Sequence, residues 1–192
     1  MCNRYRMTTD QTGLEQAYGI DAPYVGSVDQ PPLELFPKRL AWVVRKAEGR
    51  RRLDVMAWGF LPPGESRTPV TNVRNLASPF WRKALSTPAQ RCLVPVTEFC
   101  EWEGEAGSKT ARWFSVTSRQ VFSFAGIWQP NADGRSAYAF LTCEPNALVA
   151  PVHPKAMPVI LHPEDEEKWL TGTMTEILPL AAPYPSQLMA IA

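Results

Sequence analysis

The chain has 192 residues, 45% of them hydrophobic and 20% charged, and a formal net charge of +1. These values exclude a disordered or fibrous chain and fit one globular domain with a sizeable core. Near-neutral charge excludes global attraction to polyanions, and no apolar run reaches the roughly 18 residues of a membrane span. Residues 1–20 hold no apolar signal-peptide core, so a cytoplasmic protein is expected.

The sequence opens MCNRYRM. A methionine ahead of a small side chain is normally trimmed, which would leave Cys2 carrying both a free α-amine and a thiol. The amine, with an ordinary pKa of about 7.7–8.0, has an appreciable neutral fraction near pH 7, and the thiol at about 8.5 is partly ionised. An aldehyde can form an imine with such an amine and then close a five-membered thiazolidine with the sulfur. The alternative is a buried cysteine without chemistry.

DQTGLEQAYG (10–19) predicts a short helix, and a Pro-containing extended segment follows through residue 38. RLAWVVRKAE (39–48) and LDVMAWGF (53–60) predict two strands joined at EGRRR, from their alternation and β-branched content. LPPGESRTPVT (61–71) reads as a loop. SPFWRKAL (78–85), with Ser then Pro at its start, reads as a helix. RCLVPVTEFCEWE (91–103), ARWFSVTS (111–118), VFSFAGIW (121–128) and AYAFLTC (137–143) are β-rich, separated by turns such as EGEAGS and NADG. NALVAP predicts a single helical turn and MPVIL (157–161) a strand. PEDEEKWL (163–170) predicts a helix with Pro at its first position and acids in its first turn. Strands outnumber helices and follow one another. The expected fold class is α+β, a single domain over 1–192 of mainly antiparallel, barrel- or tent-like sheets with a few flanking helices.

Several polar residues stand where a structural role is awkward. Asn72 and Arg74 lie in TNVRN (71–75), where amides and a guanidinium fork suit phosphate or sugar contacts, or merely tie down a loop. In EFCEWE (98–103), alternation puts Phe99, Glu101 and Glu103 on one face. A Glu101 carboxylate among aromatics would have its pKa raised by desolvation, as a general acid/base requires; the alternative is an edge-strand glutamate facing water. His153 sits between Pro151 and Pro154, a restricted backbone suited to an acid/base or to packing in a turn, whereas His162 precedes a helix and suits capping. Arg4 and Arg6, seven basic residues between Lys38 and Arg52, and Arg74 and Arg82 could together line a DNA backbone, or form solvated turns. Cys2, Cys92, Cys100 and Cys143 are scattered and make no CxxC pair, so no metal and no cofactor are expected.

Taken in order, MCNRY, WGF with its following proline (58–62), NVR (72–74), RCLVPVTEFCEW (91–102), FAGIW (124–128) and LTCEPNALVAPVHPKAMPVIL (141–161) resemble one family. It is the SRAP family of abasic-site processing proteins, also called SOS response-associated peptidases, and the resemblance runs from residue 2 to about 170. It implies that the trimmed Cys2 traps the ring-opened aldehyde of an abasic site in single-stranded DNA as a thiazolidine crosslink. Implied roles are Glu101 as acid/base, His153 at the deoxyribose oxygen and Asn72 positioning amine and lesion. Arg4, Arg74, Arg82 and Thr142 would contact phosphates, with Trp58 and Lys155 completing the DNA contacts. Self-removal of Met1 and slow crosslink reversal are implied as well. Three departures stand out: Asn3 where glycine is usual, the longer His-Pro-Lys-Ala-Met-Pro, and a 61–69 loop without the tryptophan often found there. A cysteine peptidase acting in trans and a non-covalent nucleic-acid-binding module are the competing readings. A monomer is the default, and 171–192 carries no partner motif.

Overall fold

Local sequence rules account for most elements of the computed structural model, which describes residues 2–26, 30–62, 68–105, 107–131 and 134–192. In chain order these are β1 (Tyr5–Arg6), α1 (Gln11–Tyr18), β2 (Glu34–Leu35), β3 (Leu40–Ala47), β4 (Arg50–Trp58), β5 (Asn72–Val73), α2 (Pro79–Ser86), β6 (Arg91–Val96), β7 (Glu98–Glu103), β8 (Thr110–Val116), β9 (Phe122–Pro130), β10 (Ser136–Cys143), β11 (Met157–Pro158), β12 (Ile160–Leu161), α3 (Pro163–Thr171), α4 (Met174–Ile177) and β13 (Met189–Ile191). Asp10 caps α1 by accepting from the Gly13 N–H, and Gly19 ends it at φ +62. Ser78 caps α2, with Pro79 at its first position. Met1, most of the LPPGESRTP loop (63–67) and parts of the EGEAGS and NADG turns (106, 132, 133) lie outside the described residues.

The fold is α+β, built on two sheets. The first has the order β13-β8-β7-β1-β2, antiparallel throughout. The second has the order β11-β10-β4-β3-β6-β9-β12, with β5 also on β10. Pairing of β9 with β10, from Ser136↔Pro130 to Phe140↔Gly126, closes β10, β4, β3, β6 and β9 into a ring. Closure removes the exposed edges that an open sheet would leave. Only β10 pairs in parallel, with β4 at Tyr138↔Trp58 and with β5 at Phe140↔Asn72, among the described strands. After Trp58 the chain leaves the ring and returns at Asn72 to resume the same edge of β10. Gly59, at φ +116, makes the departure: a Cβ there would come within 2.6 Å of Pro69.

Alternation in the first sheet sends Leu35, Tyr5, Phe99 and Phe114 inward, while Glu34, Arg6 and Glu98 face out. The inward side chains join the ring strands in one apolar cluster. Tyr5 meets Trp58 edge-on at 5.2 Å between ring centroids and Phe140 at 6.3 Å, and its hydroxyl bonds that of Tyr138 at 2.6 Å.

Three expectations are refined. The hairpin turn is only Glu48–Gly49, both at positive φ, so Arg50, Arg51 and Arg52 belong to β4. RCLVPVTEFCEWE is not one strand: the chain breaks at Thr97, whose N–H and hydroxyl both donate to Arg6 O, and β6 and β7 enter different sheets. MPVIL forms two short strands, because β9 and β10 diverge beyond Gly126 and Phe140. Residues 157–161 fill that gap, with Val159 N–H donating to Leu141 O and Val159 O accepting from Ala125 N–H.

Candidate active site

Cys2 lies just beyond the β1–β7 ladder, whose last main-chain bond runs from Cys100 N–H to Arg4 O at 2.9 Å. Its side chain is 1% exposed, and Sγ donates to Arg4 O at 3.5 Å and approaches Cys100 O at 3.9 Å. Glu101 is 2% exposed on the inward face of β7, a strand flanked by β8 and β1. That excludes the water-facing edge glutamate. Burial pushes the Glu101 carboxyl up to about 7. Burial first, and the neighbouring Glu101 carboxylate second, push the Cys2 thiol well above its ordinary range. At neutral pH the sulfur is therefore held as a thiol beside a half-ionised base, a pairing suited to moving a proton.

Asn72 and Thr142 lie on the ring sheet. Asn72 sits where the chain returns to β10, opposite Phe140, and Thr142 follows two residues along β10, at the point where β9 diverges. They are 5% and 4% exposed. Both polar atoms of the Asn72 amide, Thr142 Oγ1 and Glu101 Oε1 are buried without a hydrogen-bond partner. Eight side-chain atoms among the described residues share that condition, and these three residues supply four of them. Leaving such a group unpaired costs roughly 1–3 kcal/mol.

His153 is delivered by the segment that fills the β9–β10 gap. Asn146 Oδ1 accepts from the N–H groups of Leu148 and Val149, and the turn closes with His153 N–H donating to Val149 O. This is the single helical turn expected for NALVAP. His153 Nδ1 lies 2.8 Å from Ala156 O and 3.3 Å from Ala156 N, so the backbone three residues on holds the ring in place. Burial, with lesser contributions from the Lys155 and Lys109 charges, lowers its pKa, so the ring is neutral at pH 7.

The basic residues are dispersed. Arg74 donates to Cys143 O at 2.9 Å and pairs with Glu144, next to Thr142. Arg4 donates to Glu34 at 2.7 Å. Lys155 is exposed two residues past His153. Arg82 is exposed on α2 beside a cavity of about 360 Å³ lined by Leu76, Ala77, Met174 and Leu178. Much of the basic hairpin is engaged with acids: Arg45 with Asp54, Lys46 with Glu167, Arg51 with Glu166 and Arg52 with Glu48. Trp58 corrects the expectation of a DNA contact. It is fully buried, packs on Tyr5 and Phe140, and donates from Nε1 to Thr71 O, so its ring offers a nucleic acid no surface. The sequence reading missed the Tyr5–Tyr138 bridge, for which inward register was the sole available signal. Among the described residues no three His, Cys, Asp or Glu side chains are grouped to hold a metal, and no helix is long and apolar enough to cross a membrane.

The sequence model of the SOS response associated peptidase (SRAP) family matches residues 1–192, thus including the segment 171–192. An abasic site processing protein of Bacillus subtilis strain 168, YoqW, is 25% identical over 204 residues, covering 98% of this chain and 90% of its own length. YoqW of Bacillus phage SPbeta matches to the same extent. Among solved structures, a Bacteroides thetaiotaomicron protein superposes with a TM-score of 0.84 at 23% identity, over 99% of this chain and 90% of its own. A Bordetella bronchiseptica protein gives 0.82 at 23% identity, over 100% and 98%. The two structures establish a shared fold, and the family match spans every element that builds the site: the chain belongs to the SOS response associated peptidase (SRAP) family.

Proposed function

We propose that this protein processes abasic sites, capturing the ring-opened lesion in single-stranded DNA as a thiazolidine on Cys2 once Met1 is removed. The observation that carries the reading is that Glu101, Asn72 and Thr142 hold buried polar atoms without a partner, with Cys2 buried just beyond the end of the strand that pairs with Glu101's strand. The names of the Bacillus relatives support the substrate class. In the first step the Cys2 amine attacks the aldehyde carbon, and the carbinolamine loses one water to give an imine. The thiol then adds to the imine carbon, forming the S–C bond, and its proton passes to the ring nitrogen. Glu101, near half-ionisation at neutral pH, is the group that carries protons between these atoms. Neutral His153 serves the deoxyribose oxygen during ring opening. Asn72 hydrogen-bonds the amine and lesion. Thr142, Arg74, Arg4, Arg82 and Lys155 contact flanking phosphates. Cys2 with Glu101 also removes Met1. In this reading the protein acts as a cytoplasmic monomer, on the nucleoid when bound.

Intact-protein mass spectrometry tests it, before and after incubation with a single-stranded oligonucleotide carrying one abasic site. The expected product is a denaturation-stable adduct of one oligonucleotide minus one water, absent from Cys2→Ala. A trimmed protein that gives no adduct sinks the reading, and multiple turnover of peptides would favour a peptidase acting in trans.

A further inference from the structure

The two residues beyond the β1–β7 ladder have little main chain to hold them. The registered pairs are Tyr5↔Phe99 and Arg6↔Glu98, and regular bonding ends at Arg4 O. Cys2 itself contributes two long sulfur contacts. What fixes the segment is its side chains. Asn3 is exposed, yet its Oδ1 accepts from the indole Nε1–H of Trp102 at 3.2 Å, a contact between residues 99 apart in sequence. Trp102 directly follows Glu101, and its ring also faces the Arg4 guanidinium at 5.5 Å. Arg4 is gripped in turn by Glu34 at 2.7 Å and by Trp113, 5.0 Å away.

From this geometry we infer that Asn3 is a positioning residue, which latches onto Trp102 to align the Cys2 aminothiol with Glu101. The inference rests on the covalent-capture reading above. The physical argument is one of adjacency. Cys2 and Asn3 share one peptide unit, Glu101 and Trp102 share another, and the Asn3–Trp102 bond joins the two dipeptides on the outer side of the sheet while the reacting side chains meet on the inner side. A glycine at residue 3 would supply no acceptor and would loosen the backbone on which the nucleophile sits. Alignment of this kind acts on the rate of the bound reaction rather than on affinity for DNA. Neither partner belongs to the apolar core, Asn3 being exposed and Trp102 half-buried, so the fold survives loss of the bond.

The test is single-turnover adduct formation with an oligonucleotide carrying one abasic site, measured across protein concentrations for wild type, Asn3→Ala, Trp102→Phe and the double variant. The limiting rate and the half-saturating concentration are read separately. Loss of one hydrogen bond of ordinary net strength predicts a limiting rate about five- to tenfold lower in each single variant, with half-saturation unchanged. The double variant should be no slower than the singles, since both remove the same contact. Asn3→Asp, which keeps an acceptor for the indole, should recover the limiting rate. An unchanged rate in Asn3→Ala, or independent, multiplying effects in the double variant, overturns the inference. A separate readout keeps the contact distinguishable from the chemistry: in protein labelled with ¹⁵N at its seven tryptophans, Asn3→Ala should shift the Trp102 indole N–H resonance. An unmoved resonance overturns the latch whatever the adduct assay shows. Wild-type protein that forms no adduct overturns the capture reading and the positioning role with it, leaving a moved resonance as a structural contact alone.

Discussion

Glu101 shows at single-residue scale what burying a carboxyl costs the fold. Its carboxyl is raised from an ordinary 4.5 to about 7 by burial. Below about pH 4.5 both folded and unfolded chains hold the proton, and no penalty exists. As pH rises from 4.5 toward 7 the unfolded chain ionises first, so folding stability falls across that window and levels off above it. Glu101→Gln removes the titration. It should flatten this part of the stability profile and raise stability at pH 8 by about 1–3 kcal/mol, measured by urea unfolding at several pH values. The same substitution should abolish the rise in capture rate through about pH 7, because the amide cannot accept the thiol proton. A variant with unaltered pH profiles for both would remove Glu101 from the mechanism. Asn72 and Thr142 carry the same kind of cost, since their buried polar atoms have no partner in the fold.

At the scale of elements, α3 depends on a residue that sequence inspection passed over. Arg91 is 1% exposed at the start of β6, and its guanidinium donates to Trp169 O at 2.7 Å and Gly172 O at 2.6 Å. A buried cation thus satisfies carbonyls at the helix C-terminus, where the helix dipole also favours positive charge. Trp169 completes the anchor by donating from Nε1 to Cys92 O at 2.9 Å and Gly126 O at 3.1 Å. Arg91→Ala should lower stability by about 3 kcal/mol, since the carbonyls lose their donors and a cavity replaces the side chain. A change below about 0.5 kcal/mol in denaturant unfolding would show that the anchor is redundant. The β3–β4 hairpin ties to the same helix through Lys46 and Arg51 on Glu167 and Glu166, so its basic residues serve the fold before any polyanion.

Across the whole molecule the two sheets communicate through the Tyr5–Tyr138 hydroxyl pair at 2.6 Å, inside an aromatic cluster with Trp58, Phe124 and Phe140. Tyr138→Phe strands the buried Tyr5 hydroxyl and should cost about 1–3 kcal/mol, whereas Tyr5→Phe combined with Tyr138→Phe should restore part of the loss. Additive costs in the double variant would mean that the hydroxyls do not depend on each other. The bridge bears on function because Tyr5 lies three residues from Cys2 and on the strand paired with β7, so it sets how the first sheet seats on the ring.

What the sequence by itself determined was local chemistry. Ser78 and Pro79 placed α2, and alternation placed the long strands and put Glu101 on the same face as Phe99. Order-preserving motifs tied Cys2, Asn72, Glu101 and His153 to one family. Tertiary structure alone decided the rest, because it depends on contacts between residues far apart in the chain. Trp58 looked like a surface aromatic and is core, since the closed ring places it beneath Tyr5. The strand run 91–103 splits between two sheets because Thr97 bonds Arg6 of β1, outside the ring, where the chain crosses from one sheet to the other. MPVIL divides because β9 and β10 diverge there. Asn3 carries no local signal of a role, and acquires one only because β7 brings Trp102 alongside it.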